Sequence, residues 1–133
     1  MRLHIIKRRK PADHDIDSEF EWICSSLGLC DLRDKDKTSQ ALLNILLRGQ
    51  GSNGLRSDEL SDKVGKSRGA IVNHLNKLMD SGLVIRRNNR YELREKTLSN
   101  TLHEMQADML RLMHDMEEIA EKIDKSIRYG EGF

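Results

Sequence analysis

Apolar positions along the chain recur with a helical period in five stretches and alternate in one. Ile16, Phe20, Ile23 and Leu27 follow one another at steps of four, three and four, which predicts a helix stopped by Gly28. Ser18 and Glu21 have the spacing of a capping box at its start. Ahead of it, Leu3, Ile5 and Ile6, the basic run Lys7-Arg8-Arg9-Lys10 and Pro11 read as a flexible arm with room for a short strand. The charged stretch CDLRDKDKTSQ predicts a loop, after which Thr38 or Ser39 can cap a second helix, ALLNILLRG. Leu42, Leu43, Ile45, Leu46 and Leu47 cover most of that helix's circumference, so it should be central.

The turn-rich GQGSNG at 49 to 54 precedes a short helix, DELSDKVG, with Ser57 as its expected N-cap, acids in its first turn and Gly65 as its stop. Ser67 then caps a further helix, so two helices are joined by a glycine-containing turn of a few residues, the helix-turn-helix arrangement. On a wheel for residues 68 to 81, Ile71, Leu75 and Leu78 fall together, while Gly69, Asn73, Asn76 and Lys77 fall on the opposite side. Glycine and asparagine are poor helix formers, and a merely solvated face would ordinarily carry lysines and glutamates. Asparagine can pair bidentately with adenine, and the amides near Ser67 and Arg68 suit a phosphate. Gly82 ends this helix. LVIRR and RYELR then read as two short strands around Asn88-Asn89, a pair that tolerates the positive φ of a type I′ turn. Leu83, Ile85, Tyr91 and Leu93 are expected on the core and Arg86, Arg87 and Arg90 near the tip. A helix-turn-helix followed by a basic hairpin has the chemistry of a nucleic-acid reader.

The net charge of +1 hides a division. Lys63 to Arg94 holds eight Lys and Arg against Asp80 and Glu92, whereas Lys96 to Phe133 holds five against eight acids. With one tryptophan, two tyrosines and two phenylalanines, the core must be built from Leu, Ile, Val and Met, a composition that favours helices. No apolar run is long enough to cross a bilayer, and MRLHIIKRRKPADHD lacks an apolar h-region, so a soluble cytoplasmic protein is expected. Cys24 and Cys30 do not have zinc-knuckle spacing and read as core or near-surface thiols rather than a redox switch.

The stretch LRSDELSDKVGKSRGAIVNHLNKLMDSGLVIRRNNRYELR, with ELSDKVG, SRGA, HLNKL and GLVIR in register, closely resembles the winged helix-turn-helix of the ArsR and MarR families of transcriptional regulators. Counting the preceding helix, the resemblance covers residues 38 to 95. It implies a dimeric, sequence-specific repressor or activator. Ser67, Arg68, Gly69, Asn73, Asn76 and Lys77 would occupy recognition-helix positions, and Arg86, Arg87, Asn88, Asn89 and Arg90 the wing. Metal-sensing ArsR proteins often carry a cysteine pair in the helix corresponding to 57–64; SDELSDKVG has none, and the cysteine of GLCDL lies before the central helix, in the wrong place.

From Leu98, the residues Leu102, Met105, Met109, Leu112, Met116, Ile119 and Ile123 keep alternating steps of four and three. Neither proline nor glycine interrupts Glu95 to Tyr129, so a single helix of about 50 Å is expected, with its apolar seam serving self-association. His103 and His114 fall on one side of that helix and read as polar decoration rather than as metal ligands. The chain thus divides into an arm and helix over 1–33, a winged helix-turn-helix over 34–95 with its recognition helix at 67–81 and wing at 83–94, and a dimerisation helix over 96–133. The fold class is mainly α with a β-hairpin wing. Double-stranded DNA and a second copy of the chain are the expected partners, with no catalytic residue, metal or cofactor. A winged helix that binds a protein partner in a transcription or chromatin complex, or a non-specific architectural DNA-binding protein, is the alternative.

Overall fold

The computed structural model describes residues 2–12, 14–30, 37–49 and 53–130. The expected loops over 30–40 and 49–54 fall partly on 31–36 and 50–52, outside the described residues. The chain divides into two compact units, Met1–Thr101 and Leu102–Phe133.

In the first unit, α1 (Ile16–Ser26), α2 (Thr38–Arg48), α3 (Ser57–Val64) and α4 (Arg68–Ser81) precede the antiparallel hairpin of β1 (Val84–Arg87) and β2 (Arg90–Leu93). The helix α2 is the hub, as its all-round apolar surface predicts, and packs on α1, α3, α4 and β2. Leu42 and Leu43 are inaccessible to solvent and Leu46 nearly so. Leu60 of α3 and Ile71, Leu75 and Leu78 of α4 close the same core, so the predicted inner face of α4 holds at all three positions. Gly65 and Gly82 stop α3 and α4 in the left-handed conformation, and Ser67 caps α4 by accepting from the Ala70 amide at 3.2 Å.

Three expected caps lie elsewhere. The N-cap of α1 is Asp15, whose carboxylate accepts from the Asp17 amide and from Ser18 Oγ, so Ser18 supports the cap rather than forming it. The α2 helix begins at Thr38 behind Lys37, which holds a left-handed conformation (φ 51°) and makes no side-chain cap. Thr38 and Ser39 are buried instead, with Ser39 Oγ 2.9 Å from His74 Nδ1 on α4. Arg56 is the N-cap of α3, where Glu59 accepts from the Arg56 amide; Ser57 is the first helical residue and is buried. In each case a hydroxyl that could cap has a tertiary or neighbouring partner that takes precedence.

The hairpin register, Val84 opposite Leu93 and Arg86 opposite Tyr91, corrects the expected inner set. Val84 is buried and Ile85 only half-buried, because cross-strand partners share a face and Leu93 and Tyr91 are the buried residues of β2. Leu83, just before the strand, is buried as well, and its carbonyl accepts from the Arg94 amide. Asn88 (φ 53°) and Asn89 (φ 61°) supply the positive-φ turn. On its other edge β2 exchanges two backbone hydrogen bonds between Tyr91 and Leu55, a one-residue third strand.

The N-terminal segment has no regular secondary structure but is pinned, contrary to a free arm. The Arg2 amide donates to the Asp80 carbonyl, the Ile6 amide to Ser26 and the Trp22 indole N–H to Arg8. Gly28 permits this docking: its φ is +70°, and a Cβ there would stand 2.5 Å from that of His4. The Lys7–Lys10 run remains exposed.

The helix α5 (Leu98–Arg128) has 31 residues and so extends about 47 Å. It bears out the long uninterrupted helix. No helix among the described residues is long and apolar enough to cross a membrane.

Candidate nucleic-acid interface

The outer face of α4 is open along its length. Ser67, Arg68, Gly69, Asn73, Asn76 and Lys77 are all exposed. At Gly69 no atom lies within 4 Å of where a Cβ would be, so nothing inside the chain demands glycine there. A glycine inside a helix costs roughly 1 kcal/mol relative to alanine. That cost is unexplained by packing, whereas a missing side chain is what close approach by an outside surface requires.

Beside this face lies a cleft of about 690 Å³, lined among others by Arg56, Arg68, Val72, Arg86, Asn88 and Tyr91. Its geometry follows from the hairpin and the Leu55–Tyr91 bridge. The bridge holds the residue after Leu55, Arg56, against the wing, and the register sets Arg86 across from Tyr91. The Arg86 guanidinium sits 5.7 Å from the Tyr91 ring centroid and donates to Asn89 Oδ1 at 2.7 Å. From α4, Arg68 Nε donates to Ser57 Oγ at 3.3 Å. Three guanidiniums therefore border one concave surface, with Asp58 as the acid on its lining. Partial use of the Arg68 and Arg86 donors orients those two planar groups and leaves further N–H groups for an anion.

The wing residues divide by role. Arg86, Arg87, Asn88 and Asn89 are exposed, and Arg87 stands 3.7 Å from Glu92 in a solvated pair that contributes little to stability. Arg90 is half-buried: its guanidinium donates to the Gly54 carbonyl at 3.3 Å and lies 4.0 Å from Glu59. It ties the wing to the loop before α3 and to α3 itself. Arg56 was not singled out by sequence reasoning, because it sits alone before a short helix; only the bridge to Tyr91, a single pair without periodicity, brings it to the wing.

The seam positions on α5 form a second candidate surface. Met105 is 1% exposed in the single chain, and Leu98, Leu102 and Met109 are half-buried. Leu112, Met116, Ile119 and Ile123 are 49 to 53% exposed. His114 pairs with Glu118 at 3.1 Å on the opposite, charged side. Among the described residues no group of three or more His, Cys, Asp or Glu is placed to hold a metal ion. Cys24 is buried in the core and Cys30 half-buried.

In comparison with known families, residues 36–86 fit the family model of the bacterial regulatory protein, arsR family. The matched segment runs from just before α2 to β1, and the hairpin that begins at its end supplies the wing. This match bears on the arsR family and not on the MarR family, and no curated relative or solved structure is significantly similar to the chain. The matched residues and the hairpin that follows them together form a winged helix-turn-helix of the kind that serves DNA-binding transcription regulators.

Proposed function

We propose that the chain is a homodimeric, sequence-specific regulator of transcription in which α4 reads the major groove of double-stranded DNA and the wing lies along the backbone or in the minor groove. The observation that carries this reading is the convergence of Arg56, Arg68 and Arg86 on one cleft beside the open glycine- and asparagine-bearing face of α4. Phosphate contacts position a protein on the duplex, and base-edge contacts select the sequence. Asn73, Arg68 and Lys77 take the base-reading role, with Ser67 and Asn76 beside them and Gly69 admitting the backbone. Arg56, Arg86, Arg87, Asn88 and Asn89 face the phosphates, and Arg90 holds the wing in place. The cytoplasm is the compartment this reading implies.

Two such heads, paired through α5, would meet successive major grooves about 34 Å apart and select an inverted repeat. Asn73→Ala is expected to relax the preference at one base pair of each half-site, an effect of about 1 to 3 kcal/mol in discrimination. Affinity for random duplex should stay as it was. The test is to select bound duplexes from a random pool with each chain and compare the recovered sequences. Identical preferences would remove Asn73 from base reading. Loss of binding to every duplex alike would make it a backbone contact.

A further inference from the structure

The exposed part of α5 carries different chemistry on the two flanks of its seam. The seam itself alternates Met109, Met116 and Ile123 with Leu112 and Ile119. The row just after Leu112 and Ile119 is Met113 and Ala120, and one heptad on stands Ile127; all three are exposed, Met113 and Ile127 by about half. The row just before Met109, Met116 and Ile123 is Asp108, Asp115 and Lys122. One flank is therefore apolar and the other ionic.

In a parallel pair of helices each flank faces the partner's opposite flank. Asp108 would lie beside the partner's Met113, Asp115 beside the partner's Ala120 and Lys122 beside the partner's Ile127. Asp115 and Lys122 would be partly desolvated against apolar side chains of the partner with no charge there to answer them, while Asp108 keeps its pair with Arg111 of its own helix. In an antiparallel pair like flanks meet, and one register satisfies both. With Met116 layered against the partner's Ile119 and Leu112 against the partner's Ile123, Met113 adjoins the partner's Ala120. Asp115 then faces the partner's Lys122, and Lys122 the partner's Asp115.

The neighbouring registers fit less well. Shifted by one heptad toward the N-terminus, the pairing would oppose Asp115 with the partner's Asp115. Shifted the other way, Met116 would oppose the partner's Ser126 and only Ile119 and Ile123 would meet as an apolar layer. The chosen register uses the half-exposed Leu112, Met116, Ile119 and Ile123.

We infer that a second copy of this chain docks antiparallel on α5, with Met116 against the partner's Ile119 and an Asp115–Lys122 ion pair on each side of the two-fold axis. The inference rests on the proposed self-association through α5 and adds its direction and register.

The direct test mixes full-length Met116→Cys chains with differently tagged Ile119→Cys chains under mild oxidation, with the parent chain as the control for Cys24 and Cys30. Antiparallel pairing gives a disulfide between the two variants and little within either one. Disulfides joining like variants would overturn the orientation while leaving the dimer standing. Sedimentation that shows only monomer at every concentration would overturn both. A charge swap tests the register without touching the seam. Asp115→Lys and Lys122→Asp alone should each weaken the dimer about fivefold or more, since both ion pairs become repulsions, and the double variant should restore it. Equal dissociation constants for all four chains would also overturn the inference.

Discussion

Leu75→Ala is expected to lower the free energy of unfolding by about 3 to 5 kcal/mol, the largest single effect in the first unit. Leu75 lies at mid-length on α4 with no accessible surface, one turn from both Ile71 and Leu78, which are equally enclosed. The helix carrying it packs on α2, α3 and β1, so the lost methyl groups cannot be replaced by movement of one neighbour. The cost is therefore the transfer free energy of the deleted groups together with that of the cavity they leave. Domains of this size are stable by only about 5 to 15 kcal/mol, so the variant should unfold at a markedly lower urea concentration. Lys77→Ala, two residues further on the open face, should shift the midpoint by less than about 0.5 kcal/mol. Equal shifts for the two would mean that α4 does not present the inner and outer faces described.

The second large effect concerns binding. Arg56→Ala combined with Arg86→Ala should weaken association with every duplex about a hundredfold for each protomer engaged. Each removes a charged donor worth about 1.5 kcal/mol or more. The salt dependence should flatten with it: the slope of log affinity against log salt loses roughly 0.9 for each phosphate contact removed, so about two per protomer. Both side chains are exposed, and Arg86 gives up only its hydrogen bond to Asn89 and its contact with the Tyr91 ring, so the unfolding midpoint should barely move. Binding titrations at several salt concentrations measure both quantities. A preference that changes while the slope stays fixed would move these arginines from the backbone to the bases.

The parts legible in the sequence share a physical cause. Ile71, Leu75 and Leu78 could be placed because one period runs through them, and Gly65, Gly82 and the Asn88-Asn89 pair because only a few residues tolerate their backbone angles. Ser67 was legible as a cap, yet Ser18, Ser57 and the Thr38–Ser39 pair were equally plausible caps and are not. The last three are buried, and Ser39 and Ser57 meet His74 and Arg68, partners far along the chain. Local sequence offers the hydroxyl, and tertiary contacts decide its use.

The hairpin shows the same division. Its turn was readable, but its register, and with it the choice of Val84 over Ile85 for the core, depends on which strand neighbours surround Tyr91 and Leu93. The open face of α4 can be drawn on a wheel from the sequence alone. The cleft cannot, because Arg56 reaches it through a one-residue bridge and the wing through a turn. Arg90 illustrates the reverse: its position at the tip suggests a DNA contact, while its geometry ties the wing to Gly54 and Glu59. The docking of the arm is not legible in the sequence, because it depends on Gly28 leaving room for His4.

The measurement that bears most directly on the central claim is selection of bound duplexes from a random pool by the unaltered protein, repeated across a salt series. Enrichment of an inverted repeat, bound as a dimer with an affinity that falls steeply as salt rises, is the expected result. Retention of duplexes without preference would contradict sequence-specific reading and leave an architectural DNA-binding protein. Failure to retain duplex at any salt concentration would contradict DNA binding by this winged helix and turn the same surface toward a protein partner.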